Sequence, residues 1–169
     1  MPADHLNVIE RKLIDELRTN FPAASGSVTV FGQFPETSEI TYPCIIVEHV
    51  ANGLETQFMG QKASFGSDST EKTAEVYGMG FSIWVAVDKD SSLSVVPPGE
   101  GAAVSYKQRR LINYLQQQVA NVLMDVEFDA SLTEVIERHF QGFRNITYEP
   151  SREVWAARTS LLITFLNYR

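Results

Sequence analysis

Cysteine is nearly absent from this chain. Cys44 stands alone among 169 residues, so no internal disulfide can form and a reducing compartment is the natural setting. Long apolar runs are missing too: no stretch approaches the ~20 apolar residues of a membrane helix, which excludes a helical bilayer span. The opening stretch, MPADHLNVIERKLIDEL, carries acids early and lacks an apolar segment, so no secretory signal is expected. Positive charge is in deficit. Fourteen Lys and Arg face 21 Asp and Glu, and a net charge of −7 argues against non-specific binding to DNA phosphates.

Chemistry-bearing patterns are equally thin. The three histidines, His5, His49 and His139, share no helical face with another ligand at metal spacing, so no zinc or iron site is expected. Glu48 and His49 are neighbours in a strand pattern and face opposite sides. His139 falls at the helical repeat of Leu132 and Ile136, which predicts a half-buried structural histidine. Cys44 follows Pro43 in a β-branched run and reads as a buried small hydrophobe with no base to activate it. Gly78-Met79-Gly80 lies inside a strand pattern with no helix N-terminus behind it, so it does not cradle phosphate. No catalytic residue, cofactor or metal ligand is expected, and the chain is read as a non-enzyme.

What is present is a strand pattern of unusual length, Val76 to Asp88 (VYGMGFSIWVAVD). Tyr77, Met79, Phe81, Ile83, Val85 and Val87 alternate with Gly78, Gly80, Ser82, Trp84 and Ala86. Strict period two places an apolar face on one side and a mostly small face on the other. At ~3.3 Å per residue this stretch alone spans roughly 40 Å, against ~17–20 Å for an ordinary strand. The small face would seat a helix or a neighbouring subunit, with Trp84 its one large residue, and the glycines would mark a close backbone approach.

The other elements follow in order. Leu6, Ile9, Leu13 and Leu17 form the stripe of an amphipathic helix with Asp4 as N-cap and Pro22 beyond its end. Val28–Phe31 and Pro43–Val50 read as strands. Residues 51–73 are rich in Gly, Ser, Thr, Asn and Gln and read as an extended arm or long hairpin, a mobile surface loop being the alternative. Residues 89–103 form a second long loop whose Leu93, Val95 and Val96 are too few for a core. Ser105-Tyr106-Lys107-Gln108 fits a capping box opening a helix to about Met124, with Leu111, Leu115, Val119 and Val122 inward. Ser131-Leu132-Thr133-Glu134 fits another, opening a short helix with Leu132, Val135, Ile136 and Phe140 inward. Glu153–Asn167 is the last strand, apolar on both faces after Ser160 and so central or covered by a neighbour. With 44% apolar and 21% charged residues, the chain reads as one α+β domain over 1–169, a mostly antiparallel or mixed sheet with helices on one face.

Lys107, Arg109 and Arg110 crowd the start of the long helix, where the macrodipole disfavours cations. They read as a solvated basic edge or, more sharply, as partners for a neighbour's Asp88, Asp90 or Glu100.

Taken together, the N-terminal helix, Tyr42-Pro43-Cys44-Ile45-Ile46-Val47, the arm, Gly80–Val87, the Leu/Val-striped helix and the closing Trp155–Ile163 strand resemble the tail-terminator (tail-completion) proteins of long-tailed bacteriophages. That resemblance implies a hexameric ring in the neck of the virion, assembled in the host cytoplasm. The ring caps the tail tube, ends its polymerisation and joins it to the head connector. It implies an arm reaching onto the next subunit, no catalytic residues, and DNA passing through the lumen unbound. Phe58, Met59 and Phe65 on the arm, with Trp84, Asp88, Asp90, Lys107, Arg109 and Arg110, are the interface candidates. The competing expectations are another neck or baseplate component, a phage-tail-like particle subunit, and a cystatin-like ligand-binding domain or enzyme with a pocket between sheet and helix.

Overall fold

The structure, a computed structural model of the chain, describes residues 5–21, 28–36, 38–55, 62–64, 71–97, 99–126, 133–143 and 146–168. Its elements are α1 (His5–Asn20), β1 (Thr29–Phe31), β2 (Cys44–Glu55), β3 (Lys62–Ser64), β4 (Glu71–Asp88) and β5 (Ser92–Val95). Then come β6 (Val104–Lys107), α2 (Gln108–Asp125), β7 (Thr133–Phe140), β8 (Thr147–Glu149) and β9 (Val154–Tyr168).

Alternation puts β4 at the centre. Its odd residues Met79, Phe81, Ile83, Val85 and Val87 are all fully buried, and a strand whose apolar face is that complete must be flanked on both edges to satisfy its backbone. β2 pairs antiparallel along one edge, from Cys44↔Ala86 to Glu55↔Val76. β9 pairs antiparallel along the other, from Val154↔Asp88 to Tyr168↔Ala74. The sheet order is β1-β2-β4-β9-β7, with β3 on β4 and β8 on β9; β1 joins β2 in parallel, so the sheet is mixed. The fold is α+β.

Both helices lie on the odd face of β4. Ile9, Leu13 and Leu17 of α1 and Leu111, Ile112, Leu115, Val119 and Leu123 of α2 join that face in one buried cluster, with Ala157, Leu161, Ile163 and Phe165 of β9. Arg18 fastens the end of α1 to the sheet by donating to the Val30 carbonyl at 3.3 Å. The last turn of α2 contains no basic residue, and Arg138 on β7 takes that role from outside the helix. It donates to the Met124 carbonyl at 2.6 Å and to the Val126 carbonyl, placing a cation where the helix dipole is negative. Among the described residues no helix is long and apolar enough to cross a membrane.

Several sequence expectations are corrected. Ser131-Leu132-Thr133-Glu134 opens no helix: Thr133–Phe140 is strand β7 on the edge of β9, bulged between Val135 and Glu137. His139 is accordingly an exposed strand residue, not a half-buried helical one. Ser105 is no N-cap either. It lies in β6 opposite Ser94, and α2 begins at Gln108 after Lys107 with no side-chain cap. Gln108 itself sits at φ 50, a left-handed residue that turns the chain from strand to helix.

Residues 89–103 contain β5, and Leu93, 8% exposed, belongs to the main core. Val122 is half-buried, while Ile112 and Leu123 complete the inward face of α2. Within 51–73, residues 51–55, 62–64 and 71–73 are strand, and Lys62–Ser64 pairs antiparallel with Glu71–Thr73. Asp4 and the remainder of that arm lie outside the described residues.

Opposite faces of the sheet should answer differently to truncation. Phe81→Ala is expected to cost ~3–5 kcal/mol, whereas Leu162→Ala, at a side chain 45% exposed on the other face, stays within ~0.5 kcal/mol. Urea denaturation of the two variants checks this. Arg138→Ala should cost ~1–2 kcal/mol by uncovering the end of α2, read in the same titration.

Candidate assembly surface

The even face of β4 points away from the helices. Register brings Ile46 and Arg158 beside Trp84, Glu48 and Ser160 beside Ser82, and Leu162 beside Gly80. A bulge in β2 between His49 and Ala51 resets the pairing, so that Ala51 stands opposite Gly80 and Gly53 opposite Gly78. His49 falls on the helical side against Phe81, ring centroids 5.4 Å apart, while Glu48 falls on the other, as their adjacency requires.

No helix sits on this face among the described residues, contrary to one of the two occupants expected from the sequence. Instead Phe34, Ile40 and Tyr42 pack on its upper part. A second, smaller buried cluster of Cys44, Ile46, Ala86 and Val154 forms there, with Phe31, Ile40, Tyr42, Trp84 and Ala156 packed against it. Phe34 meets Trp84 edge-on at 5.8 Å and remains 50% exposed. Cys44 is completely buried, and burial, with Asp88 adding to it, pushes its thiol up to about 12. Burial also raises the hydroxyl of Tyr42, with Cys44 contributing next.

Trp84 is half-buried between two neighbours. Above it lies the guanidinium of Arg158, 5.2 Å from the ring centroid, within cation–π range. The Nε of Arg158 donates to Ser82 Oγ at 2.6 Å, and this lets a serine sit fully buried on the sheet face. The Trp84 indole N–H is buried and meets no acceptor among the described residues. Arg158 forms no ion pair there either. It was not singled out from the sequence, because only register shows that it shares a face with Trp84.

The remaining candidates fall into two places. Asp88 closes the turn after β4, accepting from the Ser91 backbone N–H at 2.8 Å and from its hydroxyl. Asp90 is exposed next to it, and Lys89 pairs with Glu153, which raises the lysine's pKa. Lys107 ends β6, opposite Ser92, and Arg109 is exposed in the first turn of α2. Arg110 lies over the Tyr106 ring at 5.4 Å, which itself meets Tyr114 at 5.7 Å. All three basic residues are exposed, and Lys107 lies near the Asp88–Asp90 turn through its pairing with Ser92. Phe58, Met59 and Phe65 lie outside the described residues.

Cavities add little chemistry. One, about 130 Å³, lies between Phe21, Leu93, Val95 and Tyr114. Another, about 460 Å³ and open, runs along α1 past Asn7, Arg11, Asp15 and Arg18. Among the described residues no group of three or more His, Cys, Asp or Glu is placed to hold a metal ion. No protein-family model matches the chain, and no curated protein does.

The Cys44 thiol yields a pH test. Its folded pKa is raised above the ordinary ~8.5, so its contribution to stability is complete below that value and is lost as pH rises towards about 12. The urea midpoint should therefore fall above pH ~9, and less so in Cys44→Ala. Iodoacetamide near pH ~8 should label the native protein far more slowly than the unfolded one. Labelling at equal rates would show an accessible thiol.

Proposed function

We propose that the chain is a structural virion protein of the tail-terminator kind. Copies close into a ring, hexameric in that family, which caps the tail tube, ends its growth and joins it to the head connector in the neck. The neighbouring reading, another neck or baseplate component, differs in position and not in physics. A subunit of a phage-tail-like particle would work in the same way.

One observation carries this reading: the central strands are far longer than the helices that cover them. β4 has 18 residues, ~60 Å of chain at ~3.3 Å per residue. α2 also has 18 residues, but at ~1.5 Å per residue it spans only ~27 Å, and α1 is shorter. The ribbon of β2, β4 and β9 therefore outruns its own helical layer by about half its length. β1 covers the free edge of β2 only from Cys44 to Ile46, and beyond that no described strand pairs with it. A long, open, two-faced ribbon is a liability in an isolated monomer. Supplied to a neighbour, it becomes the heterologous contact that a closed ring repeats around its axis.

The other side of the layer argues against a cystatin-like ligand site. A pocket between sheet and helices is what that reading needs, and Met79, Phe81, Ile83 and Val85 meet the helices there with no exposed area. The acidic balance of the chain fits a lumen that lets DNA slide, since like charge keeps phosphates from adhering.

Size-exclusion chromatography with light scattering, followed by negative-stain microscopy, tests the proposal. Six-membered rings are expected, free or on the ends of tail tubes. A chain that stays monomeric and leaves tube ends bare removes it. Charge reversal at Arg109 and Arg110 should weaken ring formation if the basic edge meets a neighbour's acids. Rings unchanged by that reversal remove the edge from the interface.

A further inference from the structure

Arg158 is a half-buried cation with most of its hydrogen-bonding capacity unused. Nε is committed to Ser82 Oγ at 2.6 Å and the guanidinium is stacked over Trp84, so its orientation is set. Neither Nη group has a protein acceptor among the described residues, and no carboxylate there lies within ion-pair distance. A guanidinium fixed through Nε keeps a planar fork of N–H donors whose geometry matches a carboxylate. Its surroundings are those of an energetic centre in a protein interface. Trp and Arg sit side by side, and exposed Phe34 and Leu162 share their face. Directly opposite Leu162, the position on β4 is Gly80, which raises no side chain above the sheet.

We propose that this face is a carboxylate socket for a second copy of the chain. An Asp or Glu of the incoming copy takes the Nη fork of Arg158, and the residues flanking that acid pack on Phe34, Trp84 and Leu162. Charge selects the occupant: with 21 acids to 14 bases, each copy brings an excess of carboxylates to meet a cation without one. The socket deepens the assembly reading and rests on it for the identity of the partner.

Sedimentation velocity over a concentration series, with microscopy of the same samples, is the test. Arg158→Gln keeps a donor within reach of Ser82 and removes the charge. Leu162→Glu adds a repelling acid at an exposed position, away from the Trp84 packing. Both are expected to keep the wild-type urea midpoint and near-ultraviolet circular dichroism while weakening self-association by on the order of 30-fold or more. Unchanged association in the two folded variants overturns the socket, as does a wild-type chain that is monomeric at every concentration. Rings indifferent to Arg158 overturn the socket and leave the ring reading standing. Arg158-dependent oligomers that are not rings uphold the socket and remove the ring.

Discussion

The register of β4 is the constraint on which the rest depends. Five consecutive odd positions, Met79 to Val87, are fully buried against two helices, so slipping the strand by one residue would turn all five to the other face. Each carries an apolar side chain worth ~1.5–3 kcal/mol of burial, and no alternative pairing recovers that. Because β2 and β9 are both hydrogen-bonded to β4 over most of their length, its register sets theirs. Arg158 reaches Trp84 and Ser82 only as a consequence. The outer-face cluster is therefore specified by the inner core, although the two share no side-chain contact.

The same strand explains where the sheet changes character. β2 is bulged between His49 and Ala51, and β7 between Val135 and Glu137, opposite β9 at Phe165 and Thr164. A bulge bends its strand and increases the local twist. Both lie where the pairing leaves the block of core residues and enters the long ribbon. Val50, the unpaired residue of the first bulge, is 51% exposed, as expected for a position with no cross-strand partner. Beyond it, Gly53 and Gly78 stand opposite each other, a thin stretch of ribbon that leaves room for another backbone.

These bulges also account for what sequence could and could not show. The odd face of β4, the stripe of α1 and the burial of Cys44 were legible because each is a strict local period or composition. β7 was not. Its bulge at Ile136 puts two β-branched residues in succession, which breaks the period of two and imitates a helical face, and Ser131–Glu134 completes the imitation with a capping signature. The start of α2 misled for a related reason. Ser105 and Gln108 have the spacing of a cap, but Ser105 is held in the β5–β6 hairpin and Gln108 makes the turn by its own left-handed backbone. At the surface, Trp84 was legible as the one large residue on a small face. Its partners Phe34 and Arg158 come from positions 50 and 74 residues distant, and only pairing brings them together.

Two unmatched features of the monomer meet at one place. The ribbon leaves the helical layer near Met79 and Phe165, and on the outer face the packed cluster reaches Trp84 while Leu162 beyond it is exposed. Gly80 and Leu162 are paired in the register between these two points. A body lying against Leu162 would therefore touch the exposed outer face and the root of the ribbon together. This contiguity matters energetically. A lone surface cation contributes ~0–1 kcal/mol when it finds an exposed partner, too little to organise an assembly. An ordered guanidinium beside a tryptophan, covered by a contact that also buried Leu162, would be desolvated on binding, and its interaction would strengthen as water left. In the proposed assembly the long strand would supply the reach, and the cluster beside its root would supply the specificity that reach alone would lack.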